Sequence, residues 1–221
     1  MSQTTFVHLR THSDFSIVDG LQKIKPLCQS VADLQMPAMA LTDEMNLFGL
    51  VRYYQHARKL GIKPIVGADL RVLSEHWPEM PLRLTALVMN MQGYKNLTEL
   101  ISNAYLRGHK FDTPCIDQEW LATYGDGLIL LSGGMQGDIG EALLKGNNKA
   151  LQDSLSFYNQ HFPDRFYLEL TRTGRAREEE YVHAAVAFAH EHNLPVVATN
   201  DVVFLKADDF EAHEIRVAIH D

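Results

Sequence analysis

Residues able to hold a metal or move a proton gather at the ends of short apolar runs. His8, Arg10 and His12 alternate in the first run, and Asp19-Gly20 follows seven residues after His12. A second run ends in Thr42-Asp43-Glu44, a third contains Gly67-Ala68-Asp69, and the last ends in Thr199-Asn200-Asp201. If the runs are strands, residues two apart share a face, so His8, Arg10 and His12 project to one side. The same rule puts Asp201 and Val203 on one face. Imidazoles and carboxylates are metal ligands, but a guanidinium stays protonated and offers no lone pair. Arg10 therefore places a fixed cation among these groups. Helix N-caps are the competing explanation for Asp43 and Asn200, since Asp, Thr and Asn favour such positions. Caps explain single residues more readily than the whole set.

The elements that must position these groups alternate. Strand candidates cover 6–10, 38–42, 64–72, 82–89, 127–131, 165–170 and 195–198, and amphipathic helical stretches cover 21–34, 47–60, 94–105, 151–161 and 177–192. In the last of these Val182, Ala185, Val186 and Ala189 recur at helical spacing and predict one apolar face. Asp208-Asp209 reads as an N-cap pair opening a final helix over 210–219. Such alternation predicts an α/β fold with a parallel sheet, whose ligands bind at the carboxyl ends of the strands. Seven strands suit a closed or nearly closed barrel, though the pattern alone does not separate that from an open sheet. The 82–89 strand has an alternative: a hairpin with 64–72 across a loop holding Trp77-Pro78.

Bulk properties narrow the function classes. A chain of 221 residues suits one domain, and its 46% hydrophobic and 22% charged residues are those of a globular protein. The net charge of −8 argues against this piece binding DNA alone, so DNA is expected only through other domains. Cys28 and Cys115 form no Cys-x-x-Cys and read as reduced thiols. No apolar run nears the ~20 residues of a membrane helix, and Met1-Ser2-Gln3-Thr4-Thr5 lacks signal-peptide character. A cytoplasmic location is the expectation. Gly133-Gly134-Met135-Gln136-Gly137-Asp138 is a glycine-rich strand-to-helix turn that suits a phosphate, but it lacks a dinucleotide or Lys-Ser/Thr pattern and reads better as a tight turn. His183, His190, His192, His213 and His220 lie on helical stretches and form no His-Glu-x-x-His pair.

The stretch from Val7 to Gly20 resembles the first metal-binding motif of the PHP (polymerase and histidinol phosphatase) family, with one ligand changed. Ala40–Gly49 is similar to that family's Thr-Asp-His-Gly-Asn stretch, and Ile65-Val66-Gly67-Ala68-Asp69 to its Gly-x-Glu strand. Leu130-Leu131-Ser132-Gly133-Gly134, Phe166-Tyr167-Leu168-Glu169-Leu170 and Val197-Ala198-Thr199-Asn200-Asp201-Val202-Val203 extend the likeness. The set, in this order, resembles the N-terminal PHP domain of the bacterial, and most closely the proteobacterial, DNA polymerase III alpha subunit family.

The resemblance implies a distorted (β/α)7 TIM-like barrel of PHP type, one domain over 1–221, excised from a longer polymerase chain whose catalytic aspartates lie beyond residue 221. It also implies a cleft that holds up to three divalent metals in intact members. The ligand positions map onto Arg10, His12, Asp19, Glu44, Asp69, Gly134, Thr173, Asp201 and Val203, with Asp43 nearby. His12, Asp19 and Asp201 are unchanged. Arg10, Glu44, Thr173 and Val203 replace His, Gly134 replaces Cys or His, and Asp69 replaces Glu. Glu44 can still coordinate a metal, without imidazole's preference for zinc. A three-metal centre is not expected. One weak Mg²⁺, Mn²⁺ or Zn²⁺ on His12, Asp19 and Asp201 remains open.

Clustered carboxylates need compensation, because two like charges ~4 Å apart repel by about 4 kcal/mol at an effective dielectric near ~20. Arg10 is the natural internal cation, pairing with Asp19 or Asp201. On this basis the domain is expected to have no catalytic residues and no cofactor, within a parent that is a DNA-directed DNA polymerase. Its partners would be the remainder of the polymerase alpha chain and the proofreading exonuclease subunit. The rival is a metal-dependent phosphoesterase, a 3′–5′ exonuclease or pyrophosphatase, using the residual ligands. A stand-alone histidinol-phosphatase relative is a weaker third.

Overall fold

The computed structural model describes residues 6–110 and 113–220; the N-terminal pentapeptide and Asp221 considered above lie outside them. In chain order the elements are α1 (Ile24–Asp33), β1 (Ala38–Leu41), α2 (Leu50–Lys59), β2 (Lys63–Ser74), β3 (Trp77–Val88) and α3 (Met91–Arg107). Three two-residue strands follow, β4 (His109–Lys110), β5 (Thr113–Pro114) and β6 (Ile116–Asp117), then α4 (Gln118–Tyr124), β7 (Leu128–Leu131), α5 (Asp138–Lys145) and α6 (Asn148–His161). The chain ends with β8 (Phe166–Thr171), α7 (Glu178–His192), β9 (Val196–Thr199) and α8 (Phe210–His220). These elements fall into two compact units, Met1–Ala68 with Asp201–Asp221, and Asp69–Asn200.

In the first unit β1 pairs in parallel with the start of β2, from Ala38 opposite Lys63 to Leu41 opposite Val66. Helix α1 forms because Ile24, Leu27, Cys28 and Val31 recur at three and four residues and share a buried face. That face packs with Met39, Leu41, Tyr53, Ala57 and Ile62 into one core. The Tyr53 hydroxyl, fully buried, donates to the Met39 carbonyl. The predicted 6–10 strand does not form as a named strand. Its trace is a single parallel bridge from His8 to Met39, and Thr11 makes another to Val202.

In the second unit β7, β8 and β9 are parallel, while β3 runs antiparallel to β7. The parallel expectation therefore fails at β3. The end of β2 and the start of β3 are hydrogen-bonded neighbours joined through Glu75 and His76, so the hairpin alternative holds. Trp77 and Pro78 belong to β3 itself rather than to the loop. Helix α7 buries Tyr181, Ala185, Phe188 and Ala189, and Val186 is 46% exposed. The two aromatics, larger than valine, set the rotation of the helix and turn Val186 outward. Helices α4 and α5 had no counterpart in the sequence reading. At seven and eight residues they are too short to show a period. The final helix appears at Phe210, and Asp209 accepts a hydrogen bond from the Lys206 amide just before it.

Candidate functional site

In the first unit the segment from Arg10 to Gln22 is fastened to the returning segment at residues 201–203. The His12 amide donates to Val202, the Leu21 amide to Val203, and the Gln22 side chain to the carbonyls of His12 and Val202. Gly20 closes the turn between them. A Cβ there would lie 1.8 Å from the Ser13 carbonyl oxygen, so no larger residue fits without moving the turn.

This frame brings Arg10 to Asp201. The guanidinium Nη2 donates to Asp201 Oδ1 at 2.8 Å, with side-chain exposures of 4% and 10%. The sequence allowed Asp19 or Asp201 as a partner of Arg10, and the bond to Asp201 forms. Asp19 meets His12, its two carboxylate oxygens 2.8 and 2.9 Å from Nδ1. Val203 is buried, as an apolar side chain in that corner should be.

Asp43 is buried and accepts from the Ser13 amide at 2.6 Å and from the Ser13 hydroxyl at 2.8 and 3.0 Å. Helix α2 has Gly49 as its N-cap, so Asp43 is not the cap of that helix. Burial pushes the Asp43 carboxyl up, and the two Ser13 bonds oppose the shift. Glu44, half-buried, donates its amide to the Ser16 hydroxyl at 2.9 Å.

Three mapped positions lie in the second unit, each with its own partners. Asp69, 1% exposed, accepts from the Thr85 hydroxyl at 2.5 Å and stands 3.8 Å from Arg83 Nε. Gly134 is buried at the turn after β7, with φ +62°. Thr173 is exposed, and its amide and hydroxyl donate to the Glu178 carboxylate at 2.6 and 2.8 Å. The amides of Gly174 and Arg175 donate to the same carboxylate, and these bonds hold Glu178 below its ordinary pKa although burial, the largest single influence, acts the other way. Thr173 thus builds the entry to α7.

Sequence reasoning missed Glu169. This fully buried carboxylate on β8 accepts from the Gly133 amide at 3.1 Å and from the Thr199 hydroxyl at 2.5 Å. Its amide donates to the Ser132 hydroxyl, and its carbonyl accepts from Tyr181. Glu169 thereby ties the ends of β7, β8 and β9 together. It also takes a Gly133 amide that a phosphate in the glycine-rich turn would need. A glutamate flanked by Leu168 and Leu170 carries no sequence signal for this.

Chemically, the first unit offers a sequestered ion pair, an imidazole–carboxylate pair and a buried carboxyl bonded to a serine. Among the described residues no group of three or more His, Cys, Asp or Glu side chains is placed to hold a metal. Among them, too, no helix is long and apolar enough to cross a membrane.

The chain is 57% identical over 221 residues to the DNA polymerase III subunit alpha of Vibrio cholerae serotype O1, covering 100% of this chain and 19% of that protein. It is 55% identical over 221 residues to the DNA polymerase III subunit alpha of Escherichia coli strain K12, with the same coverages. The chain thus spans about a fifth of the length of the curated relatives it matches. A crystal structure of a protein described as a metal-dependent phosphoesterase from Bifidobacterium adolescentis is similar at a TM-score of 0.61 and 11% identity, over 97% of both chains. That likeness concerns the fold, and it agrees with the distorted α/β barrel of PHP type expected from the motifs. The PHP domain family matches residues 8–173. Its pattern thus extends from the bridge at His8 to the Thr173 clasp, and the chain belongs to the PHP domain family.

Proposed function

We propose that this PHP domain serves DNA replication as a non-catalytic scaffold of a polymerase alpha chain in the cytoplasm. In this role it stabilises the remainder of that chain and docks the proofreading exonuclease subunit. The supporting observation is the Arg10–Asp201 pair. A buried guanidinium bonded to Asp201 supplies positive charge that a metal would supply in a multi-metal cleft. The donor set does not fit three metals. Arg10, Gly134 and Val203 have no side-chain lone pair, and the Thr173 hydroxyl is engaged by Glu178. Docking of the exonuclease rests on the family likeness, since an exonuclease on a separate subunit leaves an internal one dispensable.

The test is elemental analysis of protein purified without chelator, combined with phosphoester and pyrophosphate hydrolysis assays in Mg²⁺, Mn²⁺ and Zn²⁺. The expected result is substoichiometric metal, no metal-dependent hydrolysis, and co-elution with purified exonuclease subunit. Near-stoichiometric metal, with hydrolysis lost in Asp19→Asn or Asp201→Asn, would instead establish the phosphoesterase.

A further inference from the structure

The exposed charged side chains of the first unit's helices α1 and α2 are mostly cationic, opposite to the net charge of the chain. Helices α1 and α2 pack Ile24, Leu27, Cys28, Val31, Tyr53 and Ala57 inward. Lys25, Arg52, Arg58 and Lys59 are left exposed, flanked by exposed Lys23 and Lys63. The carboxylate within these two helices is Asp33, in a chain whose net charge is −8. Open apolar surface stands between the cations. Tyr54 is 50% exposed and Val51 67%, with Phe48 at 67% just ahead of α2. Val51, Tyr54 and Arg58 recur at three and four residues and form one strip along α2, while Arg52 and Lys59 lie on the next. Together they cover ~12 Å of helix.

A solvated face needs no open rings, and an apolar partner gains nothing from six cations. Fixed positive charge beside exposed rings fits a single-stranded polynucleotide. Its phosphates meet the cations and its bases stack on the rings. We propose that the α1–α2 face binds single-stranded DNA, with Lys25, Arg58 and Lys59 on the phosphates and Tyr54 and Phe48 as stacking platforms. The choice of DNA over RNA rests on the replication role proposed above. The net charge of −8, which argues against tight DNA binding by this piece alone, keeps the affinity low. Three phosphate contacts give a slope of log K on log salt of about −2.

Fluorescence anisotropy of a labelled oligo(dT), titrated with the whole chain at low salt, tests this. The combined Lys25→Glu, Arg58→Glu and Lys59→Glu variant is expected to weaken binding at least about tenfold and to flatten the salt slope. Tyr54→Ala is expected to weaken it roughly fivefold or more. Lys95→Glu on α3 serves as the charge control, and unchanged circular dichroism shows that the variants remain folded. Three results overturn the proposal: no wild-type binding, equal binding by the charge-reversal variant, or poly-glutamate competing as well as oligo(dT) while Tyr54→Ala is silent. Tighter binding to oligo(rU) overturns the choice of DNA. None of these measurements reads metal content or hydrolysis, so the surface and the scaffold role fail or stand separately.

Discussion

Substituting Arg10 by Met keeps most of the stem's volume and deletes the guanidinium. Asp201, with a side chain 10% exposed, then loses its 2.8 Å charge-assisted bond. Removing one partner of a buried ion pair costs about 3–5 kcal/mol, chiefly because the other charge stays buried without compensation. The residual exposure of Asp201 lets water share that cost, which favours the lower end, about 3 kcal/mol. For a chain of this size each kcal/mol moves the melting temperature by about 2–4 °C, so the expected drop is about 6–12 °C. Differential scanning calorimetry at neutral pH and moderate salt measures it. The double variant with Asp201→Asn removes both charges, so it should be more stable than the sum of the single losses predicts, by about 1.5 kcal/mol or more. Strict additivity, or a single-variant loss below about 1 kcal/mol, would show that Arg10 is not the counter-charge of this corner.

Burial pushes the Asp138 carboxyl up, against bonds from Tyr158, Ser154 and its neighbouring amide. The folded protein then holds a proton that the unfolded chain releases above about pH 4. This stabilisation is full below the unfolded pKa and is lost as pH rises through the raised one. Denaturation midpoints against pH should flatten in Asp138→Asn, and an unchanged profile would remove Asp138 as the cause. Cys28 is buried, and its thiol is pushed up to about 11. Native protein should therefore react with a thiol reagent near neutral pH only as fast as it opens, so prompt labelling of Cys28 would contradict its burial. Glu169→Gln turns one carboxylate acceptor into a donor facing the Gly133 amide or the Thr199 hydroxyl. A loss of about 1–3 kcal/mol in urea denaturation is expected, and no loss would show that the strand ends do not depend on this carboxylate.

Period and residue type carried much of the fold into the sequence. The 3–4 spacing of Ile24, Leu27, Cys28 and Val31 announces α1, and the short apolar runs announce β1, β7, β8 and β9. Elements with too few residues to repeat stayed hidden, as α4 and α5 did. The first strand was over-read, because a strand over 6–10 needs a neighbour along its whole length, and the fold supplies one bridge there, at His8.

By itself the sequence determined the chemistry available at each position: a guanidinium at Arg10 has no lone pair, and Gly134 has no side chain at all. Only the tertiary structure decided the partners. Arg10 bonds Asp201, 191 residues away in the chain. Thr173 turns to Glu178, and Glu169 comes to hold Gly133 and Thr199. The physical reason is that hydrogen bonds and ion pairs act over a few ångströms, and chain closure alone sets which distant residues come that near.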